Sequence, residues 1–382
     1  MKHILFSFSG SLLICFSGYF IPKKQFSSTL RVKPVQEKPA EPDSSEIKIV
    51  FAGDIMGHEP QFKAALKEGN TYDYTDNFRF VKAYVQSADL AVANLEVTLA
   101  GPPYSGYPMF SSPDALAAAS ADAGFDVLQT SNNHTCDKGL KGVKRTLDVL
   151  DSLKIEHLGS YRTKAESDAN HPFIKTVNGI KLAILNYTYG TNGMPIPAGT
   201  VVNVIDTAII RKDLSKAKTA GADFIIASYH WGLEYQRTES PEQRRIAEFS
   251  AKHGADFVMG GHPHVVQPIK KTAVSAGDSI YTVYSLGNYV SNQRDRFKNG
   301  GIMVELNLVK TKEKTYLKSL AYVPVYVHRP SLPKVSYTLI PGYMDAGADT
   351  LLSMNAADKV LMQQFFKDTR EHLKNIPETR FQ

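Results

Sequence analysis

The chain has 382 residues, of which 43% are hydrophobic, and a formal net charge of +6. This length is enough for one large domain or two modest ones, with cores that need no disulfide bonds. The two cysteines, Cys15 and Cys136, are too few for a disulfide framework, so Cys136 is expected to be a free thiol. The charge is mild, and no block of lysine and arginine alternates with aromatic residues, which argues against nucleic acid as a partner.

The N-terminal segment has the composition of a targeting sequence. Residues 1–21 carry one early lysine followed by an apolar run, which is typical of a secretory signal peptide or an N-terminal membrane anchor. The alternative is a buried N-terminal helix of the fold. Residues 22–46 place several prolines among serines and glutamates, which predicts an extended linker. We therefore expect an exported protein, periplasmic or extracellular, that is anchored in the membrane through its N-terminus or released by cleavage.

From Ile47 onward, short apolar runs alternate with amphipathic segments. This alternation predicts an α/β layered fold, built either from two sheets or from one large sheet. The predicted strands are Ile47–Ala52, Leu90–Ala93, Phe125–Thr130, Leu182–Tyr187, Phe224–Ser228, Phe257–Met259, Ile280–Ser285 and Ile302–Val309.

Three segments carry clear helix signals. An apolar stripe at helical spacing runs from Leu140 to Leu153. A second helix is predicted to begin after Ser240, because a proline and a capping-box glutamine follow this N-cap residue. A polar helix is predicted near Ala356 to Lys374. We assign residues 47–345 to one domain and residues 346–382 to a C-terminal helical extension.

Five predicted strands are followed by polar side chains that suit a metal. Ligands in open α/β folds gather at the carboxyl ends of strands, so we expect these side chains to meet. Imidazole, carboxylate and amide groups together suit Zn, Mn or Fe, and the set is large enough for two ions. The candidates are Asp54, Glu96, Asn133, His230, His262 and His264. For the first four, the structural alternatives are a helix cap, a surface carboxylate, a turn residue and a packed core histidine.

The segment Gly260-Gly261-His262-Pro263-His264 carries the strongest of these signals. Two glycines after a strand permit a sharp turn, and the proline fixes φ between the two histidines. Both imidazoles can then be directed toward one point in a cleft, as metal ligands are. The alternative is a loop whose histidines bond to nearby carbonyl groups.

Six motifs in chain order are Gly53-Asp54-Ile55-Met56, Ala93-Asn94-Leu95-Glu96, Asn132-Asn133-His134 with Asp137-Lys138-Gly139, His230-Trp231-Gly232, Gly261-His262-Pro263-His264-Val265-Val266-Gln267 and Ser285-Leu286-Gly287-Asn288. They resemble the capsule-synthesis CapA family, also called poly-γ-glutamate biosynthesis proteins, which is similar to the calcineurin-like metallophosphoesterases. The resemblance covers roughly Ile47 to Leu308. It implies a four-layer metallophosphatase-like sandwich (α/β/β/α), with mixed sheets flanked by helices.

The resemblance also implies a role for each candidate. Asp54 and His264 would bind one divalent ion, and Glu96 would bridge it to a second ion. The ligands that would complete the second site are Asn133, His230 and His262.

The same resemblance implies an acid for the reaction. His134 would contact the leaving group and act as its general acid. Asp137 has two possible roles, either orienting His134 or capping the helix that follows. Ser285, Gly287 and Asn288 would line the pocket.

One position departs from the superfamily pattern, which has Asp-x-His at the first strand. Met56 stands where that histidine is expected, and a thioether is a poor ligand for hard divalent ions. His58 and Glu59 are the nearby candidates to replace it, and a single-metal site is the alternative.

These expectations together favour an exported metal-dependent hydrolase linked to capsule or poly-γ-glutamate synthesis. Its expected partners are the polymer or a phosphoester substrate, membrane synthase subunits, and the membrane itself through the N-terminus. The alternative is a non-catalytic envelope subunit that assists polymer synthesis or export. A third class, a polymer-binding module, would use exposed tyrosines, but Tyr187, Tyr189, Tyr229 and Tyr235 are expected to serve packing.

Overall fold

Two β-sheets lie face to face in the structure, a computed structural model that describes residues 44–275, 277–330 and 335–381. The predicted signal or anchor and nearly all of the predicted linker lie outside these residues. In chain order the strands are β1 (Ser45–Ile55), β2 (Leu90–Leu95), β3 (Val127–Gln129), β4 (Glu156–Leu158), β5 (Ser160–Tyr161), β6 (Phe173–Val177), β7 (Ile180–Thr188), β8 (Val201–Val202), β9 (Phe224–His230), β10 (Phe257–Gly261), β11 (Ile269–Ser275), β12 (Asp278–Val283), β13 (Asn288–Val290), β14 (Gly300–Lys310), β15 (Thr315–His328) and β16 (Thr338–Pro341).

The helices lie between and after these strands. They are α1 (Glu59–Ala65), α2 (Thr75–Phe78), α3 (Lys82–Gln86), α4 (Ala115–Asp122), α5 (Gly139–Ser152), α6 (Lys164–Asn170), α7 (Thr207–Thr219), α8 (Pro241–His253), α9 (Ala348–Leu351) and α10 (Ala356–His372), with 3-10 turns at Glu68–Asn70 and Gly342–Met344. Within the described part of the chain, no helix combines the length and the apolar character that a membrane span requires.

Both sheets mix parallel and antiparallel strands. The first sheet has the order β16-β15-β14-β1-β2-β3-β4, and β13 pairs with the end of β1. In it, β1 to β4 run parallel, whereas β14 pairs antiparallel with β1. The second sheet has the order β11-β12-β10-β9-β7-β6, and its four central strands run parallel. Strands buried on both faces explain the nearly continuous apolar runs in the sequence.

The buried clusters define four layers. Ile49 and Phe51 of β1 share one cluster with Ile184 and Ile226 of the second sheet, so this cluster fills the space between the sheets. The alternate residue Val50 belongs to a second cluster, which contains residues of α1 to α5 on the outer face of the first sheet. A third cluster joins α7 and α8 to the outer face of the second sheet. The predicted α/β/β/α sandwich is confirmed.

All eight predicted strands are present, although most boundaries differ by one to three residues. Ser240 caps α8 with the predicted capping box, and α10 matches the predicted C-terminal helix. In α5 the stripe is buried at its centre, but Leu140 is 46% exposed because it lies at the start of the helix. Cys136 is a free, buried cysteine, and burial raises the pKa of its thiol to about 11.

Candidate metal centre

All six candidate ligands lie at one edge of the sandwich, where strands of both sheets end. The neighbours β1 and β2 bring two of them from the first sheet, and the neighbours β9 and β10 bring three from the second sheet or just beyond it. The residues are Asp54 on β1, Glu96 after β2, Asn133 after β3, His230 at the end of β9, and His262 and His264 after β10.

The side chains form two donor groups that share one carboxylate. The first donor group is Asp54, Glu96 and His264, and the second donor group is Glu96, His230 and His262. Within each group, one ligand atom from every residue lies within 4.8 Å of the others, and all these residues are buried. Asn133 lies beside the second group, with its Oδ1 2.7 Å from His230 Nε2. This division matches the one implied by the resemblance.

Glu96 is the most unusual side chain of the centre. It is fully buried, and neither of its carboxylate oxygens has a hydrogen-bond partner among the described residues. Its nearest opposite charges are on histidines, with Oε1 3.3 Å from His230 Nε2 and 3.8 Å from His264 Nε2. His262 Nδ1 is also buried and has no hydrogen-bond partner among these same residues. Buried, unpaired oxygen and nitrogen donors are the atoms that a divalent cation satisfies, so this donor set fits a metal.

Asp54 is held in its ionised form. Burial alone would raise the pKa of its carboxyl group, but the hydrogen bond with His264 and the charges of His230 and His264 lower that pKa to about 2. Asn94 Nδ2 also donates to Asp54 Oδ1 at 2.8 Å. A carboxylate that stays ionised at neutral pH is ready to bind a cation.

The two histidines of the His-Pro-His segment differ electrostatically. Burial, together with the neighbouring histidines, holds the pKa of His262 well below its ordinary value, so its imidazole is neutral. Burial would also lower the pKa of His264, but Glu96 and Asp54 outweigh it and raise that pKa to about 9. His264 Nδ1 lies 3.1 Å from Asn288 Oδ1, which leaves Nε2 facing Glu96. Asn288, predicted only to line the pocket, therefore orients the candidate ligand His264.

The backbone of this segment is strained in order to aim the imidazoles. His262 has a φ of 97° and His264 a φ of 58°, and residues other than glycine rarely adopt such positive values. Gly261 precedes them, and a Cβ there would lie 3.1 Å from Asp54 Oδ1. Gly53 is required for a similar reason, because a Cβ would come within 2.0 Å of the Gly287 carbonyl oxygen. Strain of this kind persists where the surrounding structure enforces it and is typical of functional sites.

Asn133 is oriented by a residue that the sequence did not single out. Its Nδ2 donates to Asn192 Oδ1 at 3.3 Å, and the hydroxyl of Tyr189 donates to the same oxygen at 3.0 Å. The amide oxygen of Asn133 is thereby turned toward His230 and the second donor group. A turn signal, Thr191-Asn192-Gly193, was visible in the sequence, but nothing there indicated which residue it would contact.

His134 and Asp137 form a buried pair beside the donor groups. The distance from His134 Nδ1 to Asp137 Oδ2 is 2.8 Å, and the same Oδ2 accepts a hydrogen bond from the Phe110 N–H at 2.7 Å. The ring edge of His134 also packs against Phe110. Lys138 is the N-cap residue of α5, so the alternative that Asp137 caps this helix is wrong. The contact of Asp137 with His134 is the one that the other alternative, orientation of His134, requires.

The position that lacks a histidine is filled by an apolar side chain. Met56 is 2% exposed and belongs to the apolar cluster beneath the helices of the first sheet. Glu59 forms an exposed ion pair with Lys63 at 2.5 Å on α1, so it cannot replace a ligand at a buried centre. His58 accepts the N–H of Asn292 at 3.3 Å and belongs to neither donor group.

The four tyrosines near the centre fall into two kinds. Tyr187 and Tyr229 are buried and stacked on each other, which is the expected packing role. Tyr189 and Tyr235 are 44% and 46% exposed, so the expectation that all four serve packing is wrong for these two. The sequence could not separate the pairs, because exposure at a strand end depends on the loop that covers it.

Known proteins similar to this chain include two capsule or PGA biosynthesis proteins and a nucleotidase of known structure. The chain is 28% identical over 278 residues to a Bacillus anthracis protein described as capsule biosynthesis protein CapA, covering 69% of this chain and 64% of that protein. It is 32% identical over 191 residues to the PGA biosynthesis protein CapA of Bacillus subtilis strain 168, covering 50% of this chain and 48% of that protein. Among solved structures, NAD nucleotidase (NadN) of Haemophilus influenzae aligns over 86% of this chain and 68% of its own, with a TM-score of 0.49 and 17% identity.

The sequence profile of one family matches residues 48–293. This match includes every candidate ligand of both donor groups and the His134–Asp137 pair. Because it spans well over half of the 382 residues, the chain belongs to the family described as bacterial capsule synthesis protein PGA_cap.

Proposed function

We propose that this protein is a metal-dependent hydrolase of the phosphoesterase type that acts in capsule or poly-γ-glutamate synthesis at the cell envelope. The observation that supports this most directly is Glu96, a fully buried carboxylate that has no hydrogen-bond partner in the described part of the chain and is shared by two donor groups. A buried carboxylate in that state is costly, and the imidazolium of His264, 3.8 Å away, offsets only part of this cost. The donor set fits one or two divalent ions, with Mn, Zn and Fe as the metals that suit mixed oxygen and nitrogen ligands.

Each donor group would hold one ion, and Glu96 would bridge them. Asn133 would add an amide oxygen to the second group, since that oxygen already faces His230. When bound, such ions supply Lewis acidity, which activates water and neutralises a phosphoryl oxygen. The protein keeps the Asp54 carboxylate ionised and the His262 imidazole neutral. It also buries both side chains and fixes their orientation.

His134 is the residue that moves a proton in this proposal. Its Nδ1 is bound by Asp137, so Nε2 is the ring nitrogen available to protonate a leaving group. Asp137 holds the imidazole in one tautomer and one orientation, and the Phe110 N–H in turn holds Asp137. A metal site with a purely structural role would not need a positioned acid beside it.

The link to capsule synthesis rests on the family and on the names of the two Bacillus relatives. The substrate is proposed to be a phosphoester or the polymer itself, and membrane synthase subunits are proposed as partners. Export is proposed from the apolar segment at residues 1–21, which would place the catalytic body in the periplasm or outside the cell.

One observation favours a second candidate function, a non-catalytic envelope subunit. Met56 is packed among apolar residues, and neither His58 nor Glu59 joins a donor group, so the first ion would have only three protein ligands. If the first ion is bound too weakly to support catalysis, the same fold would act as a subunit that assists polymer synthesis or export.

Metal content and turnover in the same samples separate the two candidates. The purified full chain is stripped with a chelator, reloaded with Mn, Zn or Fe, and examined by elemental analysis and by hydrolysis of p-nitrophenyl phosphate. We expect His262→Ala to lose metal, and His134→Ala to keep it while turnover falls by about 10² to 10⁴. His157→Ala serves as the control, because His157 pairs with Asp151 away from the centre. Metal binding without turnover in the parent protein would favour the subunit, and metal loss in His134→Ala would contradict the acid role.

A further inference from the structure

Two partly exposed tyrosines pack against His262 and His264, one histidine from each donor group. The ring of Tyr189 lies 4.6 Å from that of His262, and the ring of Tyr235 lies 6.2 Å from that of His264, nearly parallel to it. Both tyrosines are tied down by their backbone, because Tyr189 N–H donates to the His230 carbonyl at 2.9 Å and Tyr235 N–H to the Pro263 carbonyl at 2.8 Å. Aromatic rings therefore flank the centre beside His262 and His264, and both tyrosines are partly exposed, although the ammonium of Lys298 lies over the Tyr235 ring.

Core packing does not explain this placement. Tyr235 adopts φ of 65°, which is a strained conformation for a bulky residue. Tyr189 and Tyr235 are each nearly half exposed, whereas the neighbouring Tyr229 is buried. A tyrosine combines a large apolar face with a polar tip, and such residues are enriched where one side of a ligand must be stacked and the other hydrogen-bonded.

The charges around these rings disfavour an anionic polymer. Glu234 adjoins Tyr235, and its charge is felt at both Tyr189 and His264. The ammonium of Lys298 lies 4.3 Å from the centre of the Tyr235 ring and is paired with Asp295. Within the described residues, no lysine or arginine forms a hydrogen bond or ion pair with either donor group. A polyanion would meet a carboxylate at the rim, and the charge of Lys298 beside it is already offset by Asp295.

A neutral sugar ring fits these features. Its C–H groups carry partial positive charge and pack on the negative face of an aromatic ring. Its hydroxyl groups donate hydrogen bonds, and Glu234, next to Tyr235 in the chain, offers carboxylate oxygens as acceptors. We propose that Tyr189 and Tyr235 bind a neutral saccharide unit of the substrate, next to the group that reacts at the metal centre. This inference rests on the proposed function, since it assigns the leaving group of that same reaction.

Equilibrium binding tests the proposal without relying on turnover. Isothermal titration of the full chain is performed with maltotriose, tri-N-acetylchitotriose, adenosine and a γ-linked glutamate oligomer. We expect at least one neutral trisaccharide to bind, and Tyr189→Leu or Tyr235→Leu to weaken that binding by about fivefold to tenfold each. Tyr235→Phe should retain most of the affinity because the ring is kept. Tyr316→Leu, which changes a tyrosine that is 38% exposed on β15, is the matched control and should bind normally.

Three results would overturn the proposal. They are no binding of either trisaccharide, tighter binding of adenosine or of the glutamate oligomer than of both, and saccharide binding that survives both leucine substitutions. Hydrolysis of glycerol 3-phosphate, which has no ring, is measured separately on the metal-loaded parent protein. Turnover without saccharide binding overturns this inference and leaves the proposed function standing. Tyrosine-dependent saccharide binding without turnover overturns the function and leaves a saccharide site.

Discussion

Replacing Glu96 with glutamine should change stability in opposite directions with and without metal. The side chain is fully buried, and neither of its oxygens forms a hydrogen bond with the residues that the structure describes. Leaving a buried polar group unsatisfied costs about 1 to 3 kcal/mol, and the imidazoles of His230 and His264, at 3.3 and 3.8 Å, offset only part of it. Glu96→Gln removes the charge and keeps the shape, so the chelated variant should be more stable than the chelated parent by about 1 kcal/mol or more.

Metal should reverse the order. A ligand at 100 times its Kd stabilises a folded protein by about 2.7 kcal/mol. The parent protein should gain this amount, whereas the variant has lost the one carboxylate that both donor groups share and should gain little. For a domain of this size, about 1 kcal/mol corresponds to about 2 °C in Tm. The variant should therefore have the higher Tm with chelator, and the parent protein the higher Tm with metal.

Thermal melts of parent and variant, each with chelator and with Mn or Zn, provide the measurement. Glu239→Gln is the matched control. Glu239 is a buried carboxylate that pairs with Lys270 at 2.6 Å, so its loss should destabilise the protein by the same amount with and without metal. If Glu96→Gln destabilises the chelated protein as Glu239→Gln does, Glu96 is satisfied without a cation and the reasoning fails.

Three further predictions concern single side chains. Asn192→Ala removes the acceptor that orients Asn133, so titration should find metal affinity reduced by about tenfold, whereas unchanged affinity would show that Asn133 needs no support. Met56→Leu should cost less than about 1.5 kcal/mol and leave the metal stoichiometry unchanged, and the loss of an equivalent would identify the thioether as a ligand. Burial lowers the pKa of His372 from 6.5 to about 4, so the unfolded chain binds more protons between these pH values and stability falls as pH falls through that window. His372→Leu should flatten this part of the Tm profile, and an unchanged slope would assign the pH dependence to other groups.

The sequence predicted the parts of this molecule that depend on local pattern. Strands buried on both faces appear as apolar runs, and a polar residue directly after such a run must lie at the edge of the sheet. This reasoning alone selected Asp54, Glu96 and His230. The capping box at Ser240 was also predicted, because all of its partners lie within four residues.

Features that depend on distant contacts were missed. β15 was not predicted, because Pro324 interrupts its pattern and its pairing with β14 is what makes it a strand. Asp137 looks like a helix cap from its position before α5, and only the fold brings the Phe110 N–H to its carboxylate. Asn192 reaches Asn133 across 59 residues of sequence, so no local signal connects them.

The centre itself depends on distant contacts, because its ligands come from two different sheets. The first sheet supplies carboxylates from β1 and the residue after β2, and the second sheet supplies imidazoles from β9 and the turn after β10. A donor set divided in this way exists only when the two sheets are packed together, so the cluster between the sheets also sets the ligand distances. Packed interiors change shape in discrete steps and do not deform smoothly. Substitutions that open a cavity at Phe51 or Ile226 should therefore weaken metal binding as well as stability, although neither residue is a ligand. Stability and metal affinity are measured for both Phe51→Ala and Ile226→Ala, and the variant that loses more stability should also lose more metal affinity. A large loss of stability with unchanged metal affinity would show that each sheet fixes its ligands independently.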